Sequence, residues 1–253
     1  MYTDEELEEL EKEEEILSDE ATAALLLALG VSKKDLEREI RSFYSKYGKD
    51  GVVTFQEARK WVSNKKHLRR YLLLDQVIDS VFDESFEIFS DTLSNLLRDV
   101  VLKEAEFFGV ALDVDKILDT IWSSDGLSWI ERLVAHQDRW RIVLNNELKK
   151  GFIKGDSVLD LLKSIDKKYE AMEKILERLC VTETTATSSL AKKEIFKKMG
   201  VEKYRFHTVP DERRCEQCGS MDGKIFPMSA YEIGVTASPL HPRCRCTAVP
   251  ILD

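Results

Sequence analysis

Glycine and proline are scarce, at 11 and 5 of 253 residues. An all-β chain of this length needs many more turns, so that class is excluded and helices are expected. Long apolar runs are missing too. The longest, Ala23 to Leu29, falls far short of the ~20 residues that span a bilayer, so no membrane partner is expected. The acidic start of the chain does not resemble a secretory leader. A basic excess is absent as well. The net charge is −9, and the acids are concentrated at one end. Residues 1–20 hold eleven Asp/Glu and one Lys, leaving a nearly neutral remainder of 36 acids and 37 bases. Phosphate-driven binding of nucleic acid is therefore not announced by charge. Phosphate-cradling glycine loops and the G-x-S-x-G nucleophile turn are also missing.

What is present is helical periodicity. Three segments are expected: an acidic N-terminal segment over 1–20, a domain of long helices over 21–200, and a Cys/His module over 201–253. Within the acidic segment Leu7, Leu10, Ile16 and Leu17 form a thin apolar stripe, which predicts a solvated helix or a disordered arm. Ser32 with Asp35, Thr54 with Glu57, and Ser128 with Glu131 have the spacing of capping boxes and predict three helix starts. Gly48, Gly109 and Gly151 are expected to close helices. The longest periodic stretch, Arg69 to Phe108, carries Phe82, Phe86 and Phe89 as core aromatics. His136 and Trp140 read as ordinary helix-face residues. Residues 182–189, TETTATSS, weaken helix propensity. They predict either a small-residue contact face or a buried glutamate, Glu183, held by hydroxyls.

The five cysteines are unevenly spread. Four of them, Cys215, Cys218, Cys244 and Cys246, fall in the last 40 residues with His241. Tyr204 to Val209 reads as a strand ended by Pro210, and Asp222-Gly223 as a hairpin turn. Cys215-x-x-Cys218-Gly219 reads as a knuckle, and Cys244 to Ile251 as a last strand. Zinc takes four soft or borderline donors in a tetrahedron. The C-x-x-C pair supplies two. His241-Pro-Arg-Cys244-Arg-Cys246 supplies up to three more, so four of these five residues form the expected metal site. Whether His241 or Cys246 completes it stays open, and two disulfides are the alternative use of the same cysteines. With four protein donors the zinc is structural, holding a segment too small to fold on its own. A catalytic site would leave a position for water, with His207, Glu216 or Asp222 beside it. Cys180, alone on a helix, is expected to be buried. The fold class is thus mainly α, with a small zinc-stabilised α+β or β-hairpin module at the C-terminus.

The pattern Asp211-x-Arg213-x-Cys215-x-x-Cys218, then Asp222-Gly223-Lys224-x-Phe226, then His241-Pro242-x-Cys244-Arg245-Cys246 resembles the phage head morphogenesis family, the Mu F-like minor head proteins of tailed phages. The family also has a Thr-Glu pair ahead of the module, matched here by Thr182-Glu183, with Val181 where an arginine is usual and Phe206 where a tryptophan is common. The resemblance extends over about Phe55 to Pro250. It implies a non-enzymatic minor capsid protein acting in procapsid assembly at the portal and in DNA packaging or delivery. Its implied partners are portal, major capsid or scaffold protein, with phage DNA bound non-specifically. Its implied location is the capsid interior of the virion, after assembly in the host cytoplasm. Thr182, Glu183 and Asp211 form a candidate structural polar site, and Arg205, Arg213, Arg214, Arg243 and Arg245 a candidate contact face for DNA or a partner. The alternative is a zinc-containing nuclease with His207 or His241 as base, or a DNA-binding factor.

Overall fold

The computed structural model describes residues 4–49, 52–53, 65–209 and 214–252, with the side chains of 4 and 65–75 outside the description. The Thr54–Glu57 cap, the helix expected from Phe55, Pro210, Asp211 and Arg213 lie outside the described residues. Four long helices dominate: α1 (Asp4–Tyr47), α2 (Lys65–Phe108), α4 (Trp129–Lys154) and α5 (Val158–Met199), with a short α3 (Val114–Leu118) before α4. The chain closes with β1 (Lys203–His207), α6 (Glu216–Met221), β2 (Ile225–Pro227) and β3 (Thr247–Ile251). This is the mainly α chain with a small C-terminal sheet that the composition requires. Among the described residues, no helix is long and apolar enough to cross a membrane.

Two compact units divide the chain. One comprises Ala24–Ser90 and Leu133–Leu176; the other comprises Met1–Ala23, Asp91–Arg132 and Glu177–Asp253.

In the first unit the α1 stripe Leu25, Leu29, Leu36, Ile40 and Phe43 is buried at helical spacing. Ser32 does not cap a helix. It sits inside α1, with its hydroxyl 3.4 Å from the Tyr169 hydroxyl. Gly30 stays helical beside it, and burial of the flanking leucines offsets the ~1 kcal/mol that an interior glycine costs. Phe82 and Phe89 are buried as expected, and Gln137 donates to the Phe82 carbonyl at 2.9 Å. His136 stacks over Trp140. Gly48 ends α1, its N–H donating to the Tyr44 carbonyl at 2.8 Å. Gly151 does not end α4. The helix continues to Lys154, and Gly155 supplies the positive φ of 73°. Gly151 answers a packing demand instead, because a Cβ there would lie 2.7 Å from Leu161 Cδ1.

The second unit holds the sheet, with strand order β2-β1-β3, antiparallel throughout. β1 alternates as expected and buries Tyr204 and Phe206. Tyr204 joins a core with Phe108, Ile195, Phe196, Tyr231 and Val249, while Phe206 packs on the cysteines. The start of α1 belongs to that core. Leu7 and Leu10 are buried in it, and the buried line continues through Glu14 and Ser18. The expected stripe through Ile16 is not used, and Ile16 is exposed. The acidic segment is therefore a packed helix rather than a free arm.

Residues 182–189 lie within the unbroken α5, and Thr184, Ala186, Thr187, Ser188 and Ser189 are buried. Short side chains let the module approach closely: Thr185 donates to the Cys244 carbonyl at 2.7 Å, and Tyr231 donates to the Ser189 carbonyl at 2.9 Å.

A candidate metal centre

Cys215 is the N-cap of α6, with extended backbone (φ −79°, ψ 163°), and its sulfur accepts from the Cys218 N–H at 3.4 Å. The first helical turn then brings Cys218 back toward Cys215. The expected knuckle is thus a helix start; Gly219 lies inside α6, and the positive φ falls at Gly223 instead. The other donors come from a loop and not from a strand, since β3 begins only at Thr247. His241-Pro242-Arg243-Cys244 closes a turn, with Cys244 N–H donating to the His241 carbonyl at 3.1 Å. Proline at its second position and φ 62° at Arg243 are the marks of a type II turn. The turn is pinned to α5, because Arg243 N–H donates to Thr182 Oγ1 at 3.1 Å.

All five donor residues gather. Cys215, Cys218 and His241 form one group, and Cys218, Cys244 and Cys246 another, with the donor atoms of each group within 4.8 Å of one another. His241 Nε2 lies 3.1 Å from both Cys215 Sγ and Cys218 Sγ. Cys218 Sγ and Cys244 Sγ are 3.7 Å apart. Zinc–sulfur bonds of ~2.3 Å at tetrahedral angles place two sulfurs about 3.8 Å apart, so this edge has the right length. A void of about 20 Å³ is lined by all five.

The His241 ring contributes a further constraint. Its Nδ1 is 2.8 Å from the Pro242 carbonyl oxygen. A carbonyl only accepts, so Nδ1 carries the proton and Nε2 presents its lone pair to the sulfurs. That is how a histidine is set to bind metal, with its second nitrogen held by an outer hydrogen bond.

Without a cation the thiols do not share charge evenly. The Cys246 thiol, hydrogen-bonded to Cys244, holds Cys244 down to about 5 and is itself pushed up. Burial pushes Cys218 up to about 12. Cys215 is held below its ordinary value, first by the Cys218 N–H. For His241, burial acts downward, and the Pro242 carbonyl and neighbouring thiolates outweigh it. A divalent cation placed among these sulfurs would stabilise the thiolate form of each ligand and remove the conflict. The residues present therefore fit a metal ion.

A second polar node lies in the same unit. Glu183 is 1% exposed, and Arg132 grips it with both prongs, Nε to Oε1 at 2.7 Å and Nη2 to Oε2 at 3.1 Å. Trp122 Nε1 donates to Oε2 at 3.0 Å, and the guanidinium lies 4.8 Å from the Trp122 ring centre. The glutamate is buried as anticipated, but a guanidinium and an indole hold it, not hydroxyls. Ser128 and Glu131 form the expected capping box, which delivers Arg132 one residue later. A third node pairs buried Lys192 with buried Glu104 at 2.8 Å. Neither Arg132 nor this pair stood out in the sequence. The available signal was a charge inside an apolar stripe: Glu104 follows Leu97 and Val100 and precedes Phe108 at helical spacing.

The arginines do not present one open face. Arg243 pairs with Glu177 at 2.9 Å, Arg245 with Glu15 at 3.6 Å, and Arg214 with Asp222 at 3.5 Å. Arg205 lies on β1, directly opposite Ile225 and Val249 on its neighbours. Cys180 is buried, with its thiol 3.5 Å from the Ser18 carbonyl.

Residues 143–249 match the family model for phage Mu protein F like protein. This stretch is Mu F-like. The match runs through α4, α5, the sheet and every cysteine of the metal cluster, and it begins well after the Phe55 start suggested by the helix pattern. No curated protein and no solved structure matches the chain. The candidate metal centre and Glu183 lie within the matched residues, while Arg132 and Trp122 lie ahead of them.

Proposed function

We propose that the chain is a minor head protein of a tailed phage, residing in the capsid interior and acting at the portal during procapsid assembly and DNA packaging or delivery. The observation that carries this reading is the Mu F-like match over 143–249, which includes both the metal cluster and the helix that anchors it. The bound ion is zinc in a structural role. Five donors converge where zinc needs four, and Cys218, Cys244 and Cys246 are buried, so protein ligands fill the coordination shell and no position is left for substrate water. A closed site supports a non-enzymatic protein, and the proposed partners are portal, capsid or scaffold protein, with DNA as a non-specific neighbour. The ion pairs that occupy Arg214, Arg243 and Arg245 support protein partners over nucleic acid. Affinity purification of the tagged chain from phage-infected cells tests the reading. Portal or capsid protein should be retained through a high-salt wash, and purification of the chain free of any head protein would overturn it.

A further inference from the structure

The start of α1 borders a groove of about 660 Å³ whose chemistry is unbalanced. Glu8, Glu11 and Glu14 line it from α1, Thr184 and Ser188 from α5, and Arg245 from the module. Glu14 is only 7% exposed, yet its Oε1 has no hydrogen-bond partner, and neither has Glu11 Oε1. The cation beside them cannot serve. Lys192 has three N–H donors, and they go to Glu104 at 2.8 Å, Ser188 at 3.2 Å and Thr247 at 2.6 Å. Three carboxyl groups, Glu11, Glu14 and Glu104, thus face one ammonium whose donors are all engaged. Arg245 is turned to Glu15 and Arg243 to Glu177. Lys12, His207 and His241 line the groove as well, yet none of them donates to Glu11 Oε1 or Glu14 Oε1, so what these two oxygens lack is a cationic hydrogen-bond donor.

We propose that this groove receives an arginine- or lysine-rich segment of a partner protein, with one cationic side chain reaching the orphaned Glu11 and Glu14 oxygens. The occupant is a peptide and not a small cation because the acids form a row. Glu8, Glu11, Glu15 and Asp19 follow one another at three- and four-residue steps along α1, which spans about 16 Å of helix. The volume is that of a ligand of several residues and far exceeds one side chain. The surroundings agree. Burial, with Glu104 and Glu8 nearby and Lys192 opposing, pushes Glu11 up to about 7, and burial beside Glu104 pushes Glu14 well above the usual carboxylate range. For want of a counter-charge both acids favour the protonated form more than a free carboxyl does, and an arriving guanidinium opposes that shift. Binding should therefore tighten as pH rises. If Glu11 returns from about 7 to its ordinary value in the complex, the affinity gain between pH 5.5 and 8 is roughly 20- to 30-fold.

The test is calorimetry on the purified full chain with a synthetic arginine-rich decapeptide, its arginine-to-glutamine counterpart, and spermine, at pH 5.5 and 8 and fixed salt. The arginine peptide should bind with the stated pH dependence and the glutamine peptide should not. Glu11→Gln should weaken binding at pH 8 at least tenfold and flatten the pH profile. Glu14→Gln should do the same while keeping wild-type helical circular dichroism; should that variant fail to fold, Glu11→Gln alone decides. Unchanged binding by Glu11→Gln would overturn the proposal and assign any attraction to the general acidity of α1. Equally tight, equally Glu11-dependent binding of spermine would overturn the peptide assignment. The probe is a defined peptide, so its failure leaves the head-protein reading to the purification experiment.

Discussion

Replacing Arg132 by methionine should destabilise the protein more than replacing Glu183 by glutamine, although the two residues form one ion pair. The asymmetry follows from what each partner retains. In Glu183→Gln the guanidinium keeps Ser123 Oγ at 2.6 Å, the Leu127 carbonyl at 2.8 Å and the Asp125 carboxylate at 3.0 Å. Its charge is still answered, but the glutamine amide keeps only one acceptor oxygen, so one Arg132 hydrogen bond becomes neutral and the other is lost, ~2–3 kcal/mol. In Arg132→Met the carboxylate, with a side chain only 2% exposed, keeps the Trp122 N–H alone. Removing one partner of a buried pair in that way costs ~3–5 kcal/mol. At ~2–4 °C per kcal/mol for a chain of this size, the melting temperature falls by about 6–20 °C. Urea titrations of both variants measure this. Equal losses, or a loss below ~1 kcal/mol for Arg132→Met, would refute the view that Glu183 is held chiefly by Arg132.

Two further outcomes follow from local geometry. Cys218 belongs to both donor groups and His241 presents Nε2 to two sulfurs, so Cys218→Ser and His241→Ala should each lower bound zinc well below one equivalent. Cys246→Ser should retain close to one equivalent. Metal analysis of reduced, purified variants checks this, and zinc loss in Cys218→Ser and Cys246→Ser but not in His241→Ala would make Cys246 the fourth ligand in place of His241. Gly151→Ala should cost ~1–3 kcal/mol, because the new methyl would meet Leu161 Cδ1 at 2.7 Å and the side chain must yield. Thermal melts test it, and a neutral result would mean that Leu161 repacks freely.

The features readable from sequence were those set by short-range chemistry. The Ser128–Glu131 box, the β1 alternation and the two donor clusters, Cys215-x-x-Cys218 and His241 to Cys246, each depend on neighbours a few positions away, and each formed. Misreadings arose where tertiary burial overrode a local signal. Ser32-x-x-Asp35 has the spacing of a cap, yet capping needs a chain that leaves the helix, and the buried leucines on both sides keep α1 continuous. Gly151 looked like a terminator because its packing against Leu161 is invisible in sequence. The charge of the acidic segment predicts a solvated arm, whereas Leu7, Leu10, Glu14 and Ser18 share one helical face and are buried. Within the site, donor identity was legible and geometry was not: nothing in HPRC says that the Pro242 carbonyl holds Nδ1 and leaves Nε2 for the metal.

The Cys/His cluster and α5 are mechanically joined, and this gives a prediction about what chelation will and will not undo. Thr182 accepts from the backbone of the HPRC turn, Thr185 donates to the Cys244 carbonyl, and Lys192 donates to Thr247 at the head of β3. Three successive levels of α5 thus hold the segment that carries three of the five donors. Phe206 on the central strand packs directly on Cys218, Cys244 and Cys246. Chelation leaves several buried thiols with too few counter-charges, and the segment placed to relax is the one that carries three of the donors, the loop leading into β3. Backbone amides of 203–207 and 247–251 should therefore lose protection from hydrogen exchange by at least tenfold after chelator treatment. The unit built on Leu36, Ile40, Trp140, Leu144 and Leu161 has its own apolar core and should keep its protection unchanged. Hydrogen-exchange mass spectrometry before and after chelation reads both regions at once. Uniform loss across the chain would show that the ion supports the whole fold. No change at 247–251 would show that α5 alone holds the strand, and the donor cluster would then have to be explained by something other than stability.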